Sequence, residues 1–201
     1  MTTQRLFERM SNRARKTGLR TADISLTGSS VPSAAATAGV TAVRTEPRIF
    51  REVFTFTSVA VSLTDNTTAG AQGSLQFVAF PEGLIRPIGA SCNLSLAIGT
   101  GVASAVVASI GSAAAANTDA TLTSTEADVI PSTSCSITSS AATFAGKMTS
   151  SQAGAVLDGS SSAAGLFLNI AATDANTTGA GPFTITVTGT ITLTWMDLGD
   201  N

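Results

Sequence analysis

The chain contains no histidine and no tyrosine. Without histidine it lacks the side chain that most often serves as a general base or a metal ligand near neutral pH. Hydroxyl nucleophiles are plentiful, but their usual activating partner is missing. Charge is scarce too: Asp, Glu, Lys and Arg make up 12% of 201 residues, about half the usual share. Cysteine is limited to Cys92 and Cys135, which stand outside any C-x-x-C spacing and are too few for a zinc site of cysteines alone. Two free, buried thiols are expected. Long apolar runs are missing as well. The opening "MTTQRLFERMSNRARKTGLR" has no apolar segment of the secretory type, and "VASAVVASIGSAAAA" is mostly alanine and glycine broken by serine. No membrane, small-molecule substrate, metal or cofactor is expected.

What fills the chain instead is Ala, Thr, Ser and Gly, which together exceed half of it. A surface of hydroxyls and small side chains packs against a neighbour without stripping water from ions. That composition points to life in an assembly. The plainer reading is a secreted or low-complexity protein with a soft polar surface.

The few charges are unevenly placed. Residues 1–51 hold nine cations against three acids, net +6, while residues 52–201 hold Arg86 and Lys147 against ten acids, net −8. A basic arm and an acidic body follow. In the arm, Leu6, Phe7 and Met10 have helical spacing among Arg5, Arg9, Arg13, Arg15, Lys16 and Arg20, which predicts a short helix over 3–16 ended by Gly18. Residues 21–45 are small, polar and turn-rich, and are expected to be an extended linker. The arm has three functional readings beside that of a solvated tail. It binds an acidic protein surface, it binds nucleic-acid phosphates, or it is an organellar transit peptide. It lacks the aromatic and basic interleaving used for stacking on bases. A protein partner is therefore preferred, with nucleic acid second.

The rest of the chain alternates with period two. The clearest run is "FTITVTGTITLTW": Phe183, Ile185, Val187, Ile191, Leu193 and Trp195 share one phase, and Thr184, Thr186, Thr188, Thr190, Thr192 and Thr194 the other. This is a strand buried on one side, expected inside a sheet with Trp195 in the core. The threonines are expected to form an edge or interface face. In "IFREVFTFTSVAVSLT" the strong apolars change phase near Thr57–Ser58, which predicts a bulge. "SLQFVAF", "ASCNLSLAIGT", "ASAVVASIG", "ATLTSTEADVI", "TSCSITS" and "GLFLNIAAT" bring the count to about eight strands, while "PEGLIRPIGA" reads as a loop and "SSQAGAVLDG" as a helical turn. The pattern predicts an all-β protein: an antiparallel β-sandwich or jelly roll over 49–201, carrying an extended basic arm and linker over 1–48.

Candidate chemistry is thin. A Ser–Lys pair would have to use Lys147, the body's one lysine, and Glu126 with Asp128 are expected to be a solvated or interface-facing pair, not a glycosidase pair. "TDNTT", "NTDAT" and "TDANTTG" lack EF-hand spacing and read as Asx turns. "GTGVAS" has neither the lysine of a P-loop nor a third glycine. The sequons at Asn66, Asn93 and Asn176 arise by chance in so Thr/Ser-rich a chain. No enzymatic activity is expected.

The segments "FPEGLIRPIGA", "TEADVIPST", "GLFLNIAATDA" and "TGTITLTWMDLGDN" resemble a group of tailed-bacteriophage virion proteins, over roughly residues 50–201. The resemblance is one of pattern and phrase. It implies a head decoration, or cement, protein: a β-rich subunit that sits on the capsid, binds across major capsid protein subunits and is assembled in the host cytoplasm. It also implies self-association, a trimer above all, since threefold lattice sites commonly seat such proteins. The alternative is a tail or head-surface module that binds a host receptor or glycan.

Overall fold

The structure is a computed structural model, and it describes residues 40–44, 49–66, 70–98, 105–116, 121–137, 140–150, 152, 155–160, 164–172 and 183–199. The helix expected over 3–16 and the linker up to residue 39 lie outside the described residues.

The fold is all-β and antiparallel. Its strands are β1 (Val40–Arg44), β2 (Ile49–Asn66), β3 (Gly70–Ala79), β4 (Leu84–Ile98), β5 (Ala105–Gly111), β6 (Ile130–Ser136), β7 (Ala141–Lys147), β8 (Leu157–Asp158), β9 (Gly165–Ala172) and β10 (Phe183–Gly199). β2 is long enough to serve two sheets. Residues Ile49 to Leu63 pair with β10, and Thr64 to Asn66 pair with β3. One sheet runs β1–β2–β10–β4–β7, with β8 on the start of β4; the other runs from the end of β2 through β3, β9 and β5 to β6. The two face each other as a sandwich. It is nearly closed where β7 meets β6: a Cβ added at Gly146 would stand 2.6 Å from Ile130 Cγ2.

The core lies between the sheets and follows the predicted phase. Phe54 and Phe56 from β2 meet Phe77 from β3, with ring centroids 5.2 and 5.9 Å apart. Trp195 is buried between Phe50, at 4.4 Å, and Phe80, at 5.1 Å. Cys92, Leu94 and Leu96 point inward from β4, and Ile98 packs half-buried against the same core. β10 is a central strand, hydrogen-bonded to β2 and to β4. The bulge also falls where expected: Val187 opposes Val59 and Gly189 opposes Phe56, so Thr57 and Ser58 face Thr188 alone, with Ser58 at φ 53°.

Four expectations are corrected. Residues 40–44 belong to the sheet, not to a linker: β1 pairs with β2 from Val40↔Phe56 to Arg44↔Glu52. "PEGLIRPIGA" is not wholly a loop, because β4 begins at Leu84 and takes in Pro87. Proline is tolerated there because β8 covers β4 only at Leu84–Ile85 and β7 only from Ser91, so one side of Pro87 needs no N–H donor. "ATLTSTEADVI" is no strand up to Val129; it is a loop with a 3₁₀ turn at Ser124–Glu126. In "SSQAGAVLDG" the helical turn reduces to Gln152 N donating to Thr149 O, and Leu157–Asp158 is a short strand.

That loop has a packing role. It lies over the outer face of the second sheet, so β9 is buried along most of its length. Asn169 on β9, fully buried, is its clamp. Its Nδ2 donates to Ala113 O and Glu126 O, and its Oδ1 accepts from Ser74 Oγ and Ala115 N. Ser109 Oγ donates to Glu126 O as well. The outer face of the first sheet has no such cover among the described residues.

Candidate interaction surface

The six threonines of β10 lie on that uncovered face. Thr184, Thr188 and Thr190 are exposed, and Thr186, Thr192 and Thr194 are half-buried between neighbouring strands. The face is central to the sheet, not at an edge. Register extends it sideways. Thr184 opposes Ser62 on β2, Thr188 opposes Ser95 on β4, and Thr192 opposes Ser91. Thr190 stands between Thr55 and Asn93. Beyond β4, Ser95 opposes Thr143 and Asn93 opposes Ala145 on β7. The result is a two-dimensional array of hydroxyls and methyls, larger than the single row visible in the last strand. β-Branched threonine suits strands, and each hydroxyl is both donor and acceptor.

Charge stays at the margins of this array. Lys147 ends β7, where it opposes Ser91, and Arg51 and Arg86 stand toward the end of the sheet where β2 and β4 begin. Lys147 is exposed. Glu126 and Asp128 are half-buried and hold the loop, which corrects the expectation of a solvated or interface-facing pair. Glu126 Oε1 accepts from Ala116 N at 2.5 Å and its Oε2 from Thr123 N at 3.1 Å. Asp128 accepts from Ser112 N at 2.8 Å and Ser112 Oγ at 2.6 Å. Among the described residues no group of three or more His, Cys, Asp or Glu could hold a metal ion. Among the described residues no helix is long and apolar enough to cross a membrane.

Both cysteines are free and buried. Burial pushes the Cys92 thiol from 9.0 up to about 11, against a smaller lowering from the backbone of Gly146 and with a further rise from Cys135. Burial also raises Cys135. Such thiols are poor nucleophiles. One buried carboxylate lies below the sheet: Glu52 accepts a hydrogen bond from Trp195 Nε1 at 3.2 Å. Sequence reading missed it, because Glu52 follows Arg51 in a stretch that looks like a solvated strand start. Its even-numbered phase with Phe54 and Phe56 was the available signal.

The arm residues Arg5, Leu6, Phe7, Arg9, Met10, Arg13, Arg15, Lys16 and Arg20 lie outside the described residues. The arrangement as a whole offers a broad, hydrogen-bonding sheet face that is uncharged at its centre. Compared with known proteins, the chain matches no family model, no curated protein and no solved structure.

Proposed function

We propose that the protein is a structural subunit of a virion shell, which decorates a phage capsid and reinforces it by binding across major capsid protein subunits. The observation that carries this reading is the open hydroxyl face of the first sheet. From Thr184 to Thr194 it runs about 33 Å, and across β1 to β7 about 19 Å, which gives roughly 600 Å² in projection. That approaches the ~800 Å² that each partner buries in an ordinary stable interface. Binding through its centre desolvates no ions, the charges Arg51, Arg86 and Lys147 standing at its margins, and leaves hydroxyls free to pair with a neighbour or with bridging water. The resemblance of residues 50–201 to phage virion proteins supplies the identity of the shell. The basic arm supplies the anchor, with an acidic surface of the capsid as its seat. Self-association, as a trimer on threefold lattice sites, belongs to the same reading.

The glycan-binding alternative is disfavoured by aromatic supply. Sugar platforms use exposed aromatic rings, and Trp195 is in the core. The deciding measurement is the copy number on purified particles. One copy per capsid subunit, or a fixed fraction of it, is the expected result. A handful of copies at one vertex would overturn decoration and leave the tail role.

A further inference from the structure

The second sheet carries a covering segment, and the way it is held can be read atom by atom. Its floor is a row of three side chains on adjacent strands: Ser74 on β3 opposes Asn169 on β9, and Asn169 opposes Ser109 on β5. The row grips main chain. Asn169 Nδ2 donates to Ala113 O at 2.9 Å and to Glu126 O at 2.8 Å. Ala115 N donates to Ser74 Oγ at 2.8 Å and to Asn169 Oδ1 at 3.1 Å. Ser109 Oγ donates to Glu126 O at 2.7 Å. The part of the loop held by Ser74 and Asn169 is residues 112–116, one serine and four alanines. Small side chains let the main chain lie within hydrogen-bond reach of a short amide or hydroxyl. A large side chain pointing at the sheet would hold it off.

The first sheet carries a row of the same kind, and among the described residues nothing lies over it. Thr55 on β2 opposes Thr190 on β10, and Thr190 opposes Asn93 on β4. An amide and hydroxyls again share one row across three adjacent strands, about 10 Å at ~4.8 Å per strand. All three side chains are exposed, whereas Asn169 and Ser109 are fully buried under their cover. Along β4, Ser91 and Ser95 continue the hydroxyls on either side of Asn93, opposite Thr192 and Thr188. Charge then narrows the occupant. The row itself is neutral, and so is the next one, where Ser95 stands between Thr188 and Thr143. On the other side Ser91 opposes Lys147, which puts a cation one row from Asn93, about 7 Å along the sheet. We propose that this row seats a main-chain segment of a partner protein: a run of alanine, glycine or serine whose amide and carbonyl groups are held by Asn93, Thr190 and Thr55, with a carboxylate at its edge that meets Lys147. An ion laid over the row itself would lose its water without gaining a partner. The inference rests on the shell reading for the partner's being a neighbouring shell subunit, and it adds the chemistry of the contact.

The covering loop supplies the probe: the end-blocked peptide Gly-Ser-Ala-Ala-Ala-Ala-Glu, which is residues 111–116 followed by one glutamate. It is titrated into the full-length protein and followed by amide resonances, the side-chain amide of Asn93 included. A few hydrogen bonds to a flexible peptide give a dissociation constant of about a millimolar, with saturable shifts centred on Asn93, Thr190 and Thr55. Asn93→Leu alters an exposed position, so the fold persists, as the emission of buried Trp195 will verify. It is expected to weaken binding at least about tenfold, since the amide's hydrogen bonds are lost. Lys147→Gln should weaken the peptide about threefold and leave unchanged the binding of the same peptide ending in glutamine. Valine in place of all four alanines should weaken it at least about tenfold, because the main chain can no longer approach the row. The absence of any saturable shift at tens of millimolar peptide would overturn the proposal. So would shifts that survive Asn93→Leu, equal binding of the valine peptide, or shifts at the row that grow with protein concentration before peptide is added, which would make the occupant a second copy. The two readings fail separately. Peptide binding without decoration of particles sinks only the shell, and decoration without peptide binding sinks only this seat.

Discussion

Replacing Trp195 by alanine is expected to cost about 3–5 kcal/mol, because the indole is 1% exposed and packed between Phe50 and Phe80. Equilibrium unfolding in urea measures the loss, and the wild-type emission should be that of a buried indole. Trp195 also separates two roles of Glu52. Glu52→Gln keeps an acceptor for the indole N–H, whereas Glu52→Ala removes the carboxylate that accepts from it and is expected to cost about 1–3 kcal/mol more. Cys92 gives a pH dependence whose sign is fixed. Its pKa rises on folding, so the native state holds the proton more tightly than the unfolded chain. Stability from this thiol is complete below pH 9.0 and is lost as the pH climbs toward about 11. The urea midpoint should therefore fall more steeply over that interval in wild type than in Cys92→Ala. Equal slopes would show that the thiol does not titrate there.

At the scale of elements, two positions hold the geometry. Gly189 sits at φ +132° beside the β2 bulge, and an added Cβ would run into Asn93 O on β4. Gly189→Ala is expected to destabilise by about 1–3 kcal/mol from backbone strain alone, with the steric clash adding to it. Asn169 ties the loop over 111–129 to the second sheet. Asn169→Leu removes its hydrogen bonds to Ala113, Ala115, Glu126 and Ser74, each unsatisfied buried group costing about 1–3 kcal/mol. It is expected to be among the most damaging core substitutions, and amide exchange should rise first in that loop. These elements also show what the sequence made legible. The strands with strict alternation, β4 and β10, and the phase change in β2, were readable because period-two burial is written in side-chain type. β7 was not, since "AATFAGK" offers one large apolar residue, Phe144, and its strand character comes from pairing with β4. The loop was misread as a strand because Leu122 and Val129 lend it apolar character, while what shapes it is Asn169, far along the chain and silent in any local window. Pro87 was read as a loop marker because the gap between β8 and β7 that admits it is a tertiary fact.

At the scale of the molecule, half of the candidate surface was readable. The threonine row of β10 is explicit in sequence, but its partners Ser62, Ser91, Asn93, Ser95 and Thr143 lie on strands whose order only pairing reveals. Because that face is open and uncharged at its centre, a charge placed there separates folding from assembly. Thr188 and Thr190 are exposed near its middle. Thr188→Lys and Thr190→Asp remove little from the isolated fold, and each is expected to shift stability by no more than about 0.5 kcal/mol. Against a neighbour packed on the face, the same charge would have to shed its water without a partner, a cost of several kcal/mol. Occupancy on purified capsids should then fall by at least about a hundredfold at subsaturating protein, since every 1.4 kcal/mol is a factor of ten. Deleting residues 1–20 gives the complementary result. If the arm anchors to capsid protein, the truncated subunit is lost from empty and DNA-filled shells alike; if it anchors to DNA, only filled shells lose it, and retention falls steeply with salt. Charge variants that decorate both kinds of shell at full copy number would mean that the hydroxyl face looks out to solvent, and the arm would then have to carry attachment by itself.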